Sequence, residues 1–445
     1  MSQRQDAFED RLLIDEFRRM LAEMDRLGVE APDGAVLDQL EGVVLGQGMA
    51  LLRAALQAKA QLAVEAAEKK NAPACPHCQA PCRNKGARTR TVIAALGPLE
   101  LARRYGVPRC ACPNGPVPGF AADARLALEG GRTVRARQRI ALFGTLAGFE
   151  HAGKCLKEVC GWTLAPNTIG LVCKEEGAAV ERWRAAAEGE RFQAAAGQVE
   201  MLADGAFVNT VEKGWQEVKL AAVVKRESAP PAAAADWNQR LLPTPNAVSF
   251  RVAIAEADEF VADWRTWLAT LGVLETVLLT CFADGAKWIW ARWAALFPGH
   301  RGLLDFFHLV AKLAEVLRGV YPDRPGAVAA WLDSARLRLL TKGWAGLREW
   351  VDRLRTEEPA ATAATEALLA YAAPHRKHLD YPGQLMAGRP IGSGLIEGGC
   401  KQVVGKRLKQ TGARWRTASV RPMATLASAR WADDWTRYWS AQLAA

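Results

Sequence analysis

Apolar residues recur at spacings of three and four through residues 8–31, FEDRLLIDEFRRMLAEMDRLGVEA, which predicts an amphipathic helix. Pro32, Asp33 and Gly34 break it. The periodicity returns from about 36 to 71, with Leu37, Leu40, Val44, Leu51, Leu52, Leu56 and Leu62 on or near one face. The two helices form either a hairpin, the reading favoured here, or a seam between two copies. Between 72 and 120 Pro, Gly and Cys become dense and β-like runs stand at Thr91–Ala94 and Leu99–Tyr105, a small β-rich module. Residues 121–190 are helical again. From 196 the pattern alternates, and Val199–Ala203, Glu217–Lys225 and Val248–Ile254 predict strands. The nearly continuous apolar run Val277–Ala283 predicts a buried strand. Ser228–Asp236 is a flexible excursion, and 309–372 reads as helical, with Trp331, Trp344 and Trp350 as core. No tandem repeat of solenoid type is present.

The chain has 445 residues, half of them apolar, which excludes global disorder and leaves room for several cores. There is no apolar run of about 18 residues to span a bilayer. The polar start, MSQRQDAFEDR, is unlike a secretory signal, so a cytoplasmic, soluble protein is expected. The net charge of +10 is unevenly spread. Residues 83–139 hold twelve Arg/Lys against three acids, and residues 401–421 hold seven against none. Two basic tracts around a near-neutral body suit a polyanion, most naturally nucleic acid, although each could be an ordinary solvated face.

Ten cysteines in this context do not form a disulfide framework. Cys75-Pro-His-Cys78 puts two thiolates on one tight turn, and Cys110-Ala-Cys112 follows beyond two predicted strands. That is the layout of a zinc ribbon with one structural zinc. The second pair is CxC instead of CxxC, which leaves Cys82 as an alternative to Cys112. The module carries Arg83, Lys85, Arg88, Arg90, Arg103, Arg104 and Arg109, cations suited to phosphate contact.

Residues 149–176 have helix-turn-helix spacing. A first helix with Ala152, Leu156 and Val159 inward ends at Gly161, and a second starts near Pro166 with Ile169 and Val172 inward. Asn167, Thr168 and Lys174 would then face a major groove. A plain helical hairpin satisfies the same pattern.

Asp204 and Asp284 each end an apolar strand at an Asp-Gly step. One such step is usually a turn, but two on central strands of one sheet could hold divalent cations between hard carboxylate oxygens. Glu397 is the candidate third acid, in the first turn of a helix with Ser393 as N-cap and Lys401 one turn on. Lys406, Arg407, Lys409, Arg414 and Arg416 follow, with Trp415 among them, a setting suited to phosphodiester chemistry. Asp305 and His308, one helical turn apart, either pair with each other, hold a backbone phosphate or pin a helix start.

The chain resembles bacterial insertion-sequence transposases of the ISKra type, among the Mutator-like DDE transposases. The resemblance rests on the ordered set LADGAFVN (202–209), FADGAKWIW (282–290), DFFH (305–308), PIGSGLIEGGCK (390–401) and GARW (412–415), together with the CPHC knuckle and helical N-terminus. It implies a multidomain α+β protein with an RNase H-like α/β core, the first Asp on the core's first strand, the second at the end of its fourth and the Glu on a late helix. Residues 1–72 would be an N-terminal helical domain, 73–120 a zinc-ribbon-like module and 121–195 a helix-turn-helix region. The core would occupy 196–311 and 389–445, interrupted by an all-helical insertion at 312–388. Asp204, Asp284 and Glu397 would be catalytic and hold two magnesium or manganese ions, with Asp305 and His308 supporting. The implied activity is cleavage and strand transfer of double-stranded DNA at the element's terminal inverted repeats, by a homodimer or larger assembly. Two other readings are a catalytically idle DNA-binding regulator and a nuclease without joining activity.

Overall fold

The computed structural model describes residues 2–75, 77–112, 119–273, 279–299, 301–432 and 434–444. It is a mixed α+β protein. The chain divides into two compact units, residues 1–173 with 439–445, and residues 174–438. No helix among the described residues is long and apolar enough to cross a membrane.

In the first unit, helix Ser2–Glu30 pairs with helices Val36–Val43 and Met49–Glu68, which are joined by a π-turn at Val44–Gly48. Lys59 Nζ meets Asp10 Oδ1 at 2.6 Å and Gln47 donates to Glu23 at 2.7 Å, so the predicted hairpin forms within one chain. Strands β1 (Cys82–Ala94) and β2 (Gly97–Pro108) form a long antiparallel ribbon with the short β3 (Gly119–Phe120) against β2. β1 is much longer than its predicted core, because Arg83, Arg88 and Arg90 pair in register with β2 despite their polarity, while Lys85 sits in a bulge between Asn84 and Ala87. The edge of β2 that β3 leaves open is closed by helix Met49–Glu68. Gln57 accepts from Glu100 N–H and Gln61 from Ala102 N–H, both at 2.9 Å, and Glu68 accepts from Arg104 N–H. One helix face thus reads alternate amides of one strand, which removes an exposed edge. Val64, Ala67, Val92, Leu99 and Leu101 fill the core between them.

Helix Phe149–Cys160 ends at Gly161 in the left-handed region (φ 72°), and helix Pro166–Ala194 follows. Ala152, Leu156, Ile169 and Val172 are buried as predicted, but Val159 is 70% exposed and Cys160 takes its place. The inward stripe is 152, 156, 160, a spacing of four throughout.

The second unit is built on a five-stranded mixed sheet of order β6-β5-β4-β7-β8. Its strands are β4 (Gln198–Thr210), β5 (Gly214–Arg226), β6 (Ala247–Ala253), β7 (Thr280–Ala283) and β8 (Arg301–Leu304). β4, β5 and β6 are antiparallel, whereas β7 and β8 run parallel to β4 and to each other. Residues 277 and 278 of the predicted Val277–Ala283 strand lie outside the described residues. Alternation sends Val199, Met201 and Ala203 to one face, where they meet Phe192, Trp264, Trp267 and Trp293 in a large core. The opposite face carries Glu200, Leu202 and Asp204. Against it lie helix Gly394–Gly399 and helix Thr417–Trp431, where Trp431 sits edge-on to Phe250 at 5.3 Å.

Between β8 and residue 388 the described structure is helical, in helices Phe306–Val320, Pro325–Glu357, Thr362–Ala372 and Tyr381–Met386. The longest is two helices folded back at Gly343 (φ 54°, ψ −126°), where a Cβ would stand 2.4 Å from the Leu379 carbonyl oxygen. Of the three tryptophans expected in its core, Trp350 is fully buried, with Trp331 edge-on to it, while Trp331 and Trp344 are half-buried.

Candidate acidic site and cysteine cluster

Parallel register brings the strand acids together. β4 pairs with β7 as Glu200 with Thr280, Met201 with Cys281 and Leu202 with Phe282. β7 pairs with β8 as Thr280 with Arg301 through to Ala283 with Leu304. Continuing both registers sets Asp204 level with Asp284 and Asp305, the residues directly past the ends of β7 and β8. Asp204 does not end its strand as expected, because β4 continues through Gly205 to Thr210. Gly205 is instead a close approach, since a Cβ there would lie 2.1 Å from Glu217 Oε1. Asp284 does leave its strand, and its Oδ1 accepts from Ala286 N–H at 2.9 Å in a local turn. Gly285 again leaves room, here for the Tyr371 ring.

Asp305 differs from the other two. It is fully buried, while Asp204 and Asp284 are half-buried. Its Oδ1 caps helix Phe306–Val320 by accepting from His308 N–H at 2.7 Å. Its Oδ2 accepts from the Ser393 hydroxyl at 2.6 Å and from the Ser393 N–H. Ser393 occupies the N-cap position of helix Gly394–Gly399, as expected, but its hydroxyl is committed to Asp305 and not to that helix. Asp305 therefore ties the start of the Glu397 helix to the end of β8. Glu397 lies in the first turn, with Lys401 Nζ 3.6 Å from Oε2.

His308 Nδ1 stands 3.3 Å from Asp305 Oδ1 and 3.5 Å from Glu397 Oε1, an ion pair without the alignment of a hydrogen bond. The Asp305 contact, with Glu397 and Asp284 adding to it, raises the imidazole to about 9. Burial opposes the Asp305 charge, but His308 and Ser393 outweigh it and hold that carboxyl below its ordinary value. Burial raises Asp204, against the help of the Gly205 N–H and the Cys400 thiol, and the Asp284 charge raises it further. Imidazolium is thus the counter-ion of a concentrated set of carboxylates. Asp305, His308 and Glu397 bring ligand atoms within 4.8 Å of one another, a grouping that the expected Asp204–Asp284–Glu397 set does not reach among the described residues. The oxygen donors suit a hard divalent cation. Asp305 is the least suited to be a ligand, since both its oxygens are already spoken for.

Sequence reasoning missed two neighbours. Cys400, on the π-turn Cys400–Gly405 that follows the Glu397 helix, stands beside Asp204, and its thiol pulls that carboxyl down against burial. Tyr371 leans on Gly285, and burial together with the Asp284 charge pushes its hydroxyl up to about 12. Tyr371 has no local signal, because it reaches the acids from a distant helix, whereas Cys400 stands three residues after Glu397 in the same block.

The basic residues separate into two kinds. Arg83, Lys85, Arg88, Arg90 and Arg109 are exposed along and beyond the β1–β2 ribbon, with Arg88 over the Tyr105 ring at 4.4 Å. Arg103 is buried, ion-paired with Asp123 and packed on Phe120, so it is not available to a partner. Arg104 is half-buried and bound to Glu68. Lys401, Lys406, Lys409, Arg414 and Arg416 are exposed, but Arg407 is buried over Trp415 at 4.7 Å. Trp415 is itself buried, its indole donating to Leu408 O at 3.1 Å and its backbone bonded to Asn209 and Val211. It docks the basic segment on β4 and is not a stacking platform. Asn167 is exposed and Thr168 and Lys174 are half-buried on helix Pro166–Ala194.

Cys82 pairs with Pro108 at one end of the ribbon, which carries the preceding Cys75 and Cys78 to the following Cys110 and Cys112. These four sulfurs lie within 4.8 Å of one another, with Cys75–Cys112 at 3.8 Å and Cys110–Cys112 at 3.5 Å. Backbone amides of Cys78 and His77 lower the Cys75 thiol to about 6. The donor set and spacing fit a tetrahedral zinc, and Cys82 stands outside the group. CxC brings both of its sulfurs into the group. No protein-family model and no curated protein matches this chain.

Proposed function

We propose that the chain is a DNA transposase of the ISKra type with DDE chemistry on an RNase H-like core. The observation that carries the proposal is the parallel register that sets Asp204 beside Asp284 on the sheet face covered by the Glu397 helix. The chain order supports it too. Asp204 lies on the first strand of the five, Asp284 directly after the fourth, and Glu397 beyond a helical stretch, as the resemblance implies.

Asp204, Asp284 and Glu397 would hold two magnesium or manganese ions, which supply an activated water or 3′-hydroxyl and stabilise the leaving oxygen. The protein's own part is positioning. Sheet register fixes the two aspartates, and the Asp305–Ser393 bonds fix the helix that brings Glu397. His308 balances the carboxylate charge. Lys401, Lys406, Lys409 and Arg414 would hold backbone phosphates beside the site. The zinc-pinned ribbon, through Arg83, Lys85, Arg88 and Arg90, and the helix pair around 149–176, through Asn167, Thr168 and Lys174, would engage the inverted repeats. Holding two ends at once calls for at least a dimer. In a transposition assay with the flanking inverted repeats, Glu397→Gln should lose DNA cleavage and keep end binding. Cleavage by that variant would remove Glu397 from the site.

A further inference from the structure

The second unit contains a cavity of about 840 Å³ on the same sheet face as the acids. Its floor includes Glu200 and Leu202, four and two residues before Asp204 on β4. At the rise of a strand these stand roughly 13 and 7 Å from Asp204. The two sites share their walls. Phe307 adjoins His308, Gly392 adjoins Ser393, and Gly394, Leu395 and Gly398 belong to the helix that carries Glu397.

Four arginines line the cavity against one carboxylate, that of Glu200. Arg226 is paired with Glu200 at 3.1 Å, and Arg191 with the buried Asp434 at 3.2 Å. Arg240 has only the Arg389 carbonyl, at 2.8 Å, and no carboxylate pairs with it among the described residues. Flat walls complete the lining. Trp237 is held edge-on to Phe306 at 5.3 Å and tilted against Phe307 at 6.0 Å, and Trp431 is held by Phe250. Phe307 is 48% exposed, so part of its ring is open to a ligand in the cavity.

A space of this size with a guanidinium that no described carboxylate neutralises, planar aromatic walls and a position a few base steps from the acids suits a phosphate joined to a planar base. We propose that the cavity takes an unstacked nucleotide of the DNA strand whose phosphodiester lies at the acids, with Arg240 on its phosphate and Trp237 and Phe307 against its base. The proposal rests on the DNA reading above and adds to it where the strand next to the reacting bond goes. The enzyme would then favour ends that are frayed or easily opened, since unpairing is cheapest there.

Two variants of the full chain test it. Arg240→Ala removes the cation. Gly398→Leu fills the cavity, and should fold, because a Cβ at Gly398 meets nothing within 4 Å and leucine favours a helix over glycine. The probes are a blunt duplex, the same duplex with a short single-stranded 3′ overhang, and free deoxynucleoside monophosphate, read by fluorescence anisotropy and calorimetry. Wild type should prefer the overhang by about tenfold, and both variants should lose that preference while binding blunt duplex as wild type does. Equal wild-type binding of blunt and overhang duplex, or a preference kept by both variants, overturns the proposal and leaves the DNA reading standing. Binding of the monophosphate that both variants abolish, with no binding of either duplex, would overturn the strand as its source and bring down the DNA reading with it, leaving a site for free nucleotides.

Discussion

Replacing Asp305 by asparagine perturbs the joint on which the acidic site depends. The side chain has no solvent exposure and accepts from His308 N–H at 2.7 Å, from the Ser393 hydroxyl at 2.6 Å and from Ser393 N–H. Asparagine matches its shape but offers one acceptor oxygen and one amide that donates. If the amide faces Ser393, a buried N–H loses its acceptor. If it faces His308, helix Phe306–Val320 loses its cap. Either loss costs about 1–3 kcal/mol, and the imidazolium contact goes as well, so the expected total is about 2–4 kcal/mol. Ser393→Ala removes one hydroxyl bond only and should cost about 1 kcal/mol. Urea unfolding followed by tryptophan fluorescence reads the relevant unit, because fourteen of the sixteen tryptophans lie in residues 174–438. The pH dependence has a definite sign. His308 is raised to about 9 from 6.5, so its stabilising contribution is complete below about 6.5 and lost as pH rises through about 9. The cost of Asp305→Asn in metal-free protein should therefore shrink across that window. A variant within about 0.5 kcal/mol of wild type at neutral pH would refute the view that this carboxylate pins the site.

Other perturbations separate structural from contact roles. Arg88→Ala should weaken DNA binding and lower the slope of log affinity against log salt by about 1, whereas Arg103→Ala should lower stability, because it empties a buried site and leaves the half-buried Asp123 without its cation. Cys75→Ser with Cys78→Ser should take zinc from one per chain to none by elemental analysis and melt the ribbon; a zinc-free, fully folded double variant would sink the assignment. Arg226→Met strands Glu200, a residue that burial raises to about 7 even beside its arginine, and should cost about 3–5 kcal/mol by urea unfolding. Glu200→Met with Arg226→Met should recover most of that loss.

Much of the core was legible because burial leaves marks in a sequence. The runs around Val199–Ala203 and Glu217–Lys225 alternate or run apolar as strands of a covered sheet must, and the acids stand at the limits of such runs. Glycine 161 announces its own turn. What stayed hidden depends on partners far along the chain. Arg103 reads like Arg88 until Asp123 is placed beside it, and Arg407 reads like Lys406 until Trp415 covers it. β1 was foreseen only at its apolar end, since its remaining pairing owes more to β2 than to its own side chains. Ser393 signals a cap locally, and nothing in its neighbourhood reveals that Asp305 will claim the hydroxyl. The level alignment of Asp204 and Asp284 required the register, which a crossover of many residues sets and no local pattern displays.

On the proposed function, Asp204, Asp284 and Glu397 form one metal-dependent phosphodiester site. The most direct measurement is cleavage and joining of DNA carrying the flanking inverted repeats, with magnesium or manganese added or withheld, by wild type, Asp204→Asn and Glu397→Gln, with end binding followed in parallel. Wild type with metal should give products, neither variant should give any, and all three should bind equally. Products from either variant, or from wild type with metal chelated, would contradict that function.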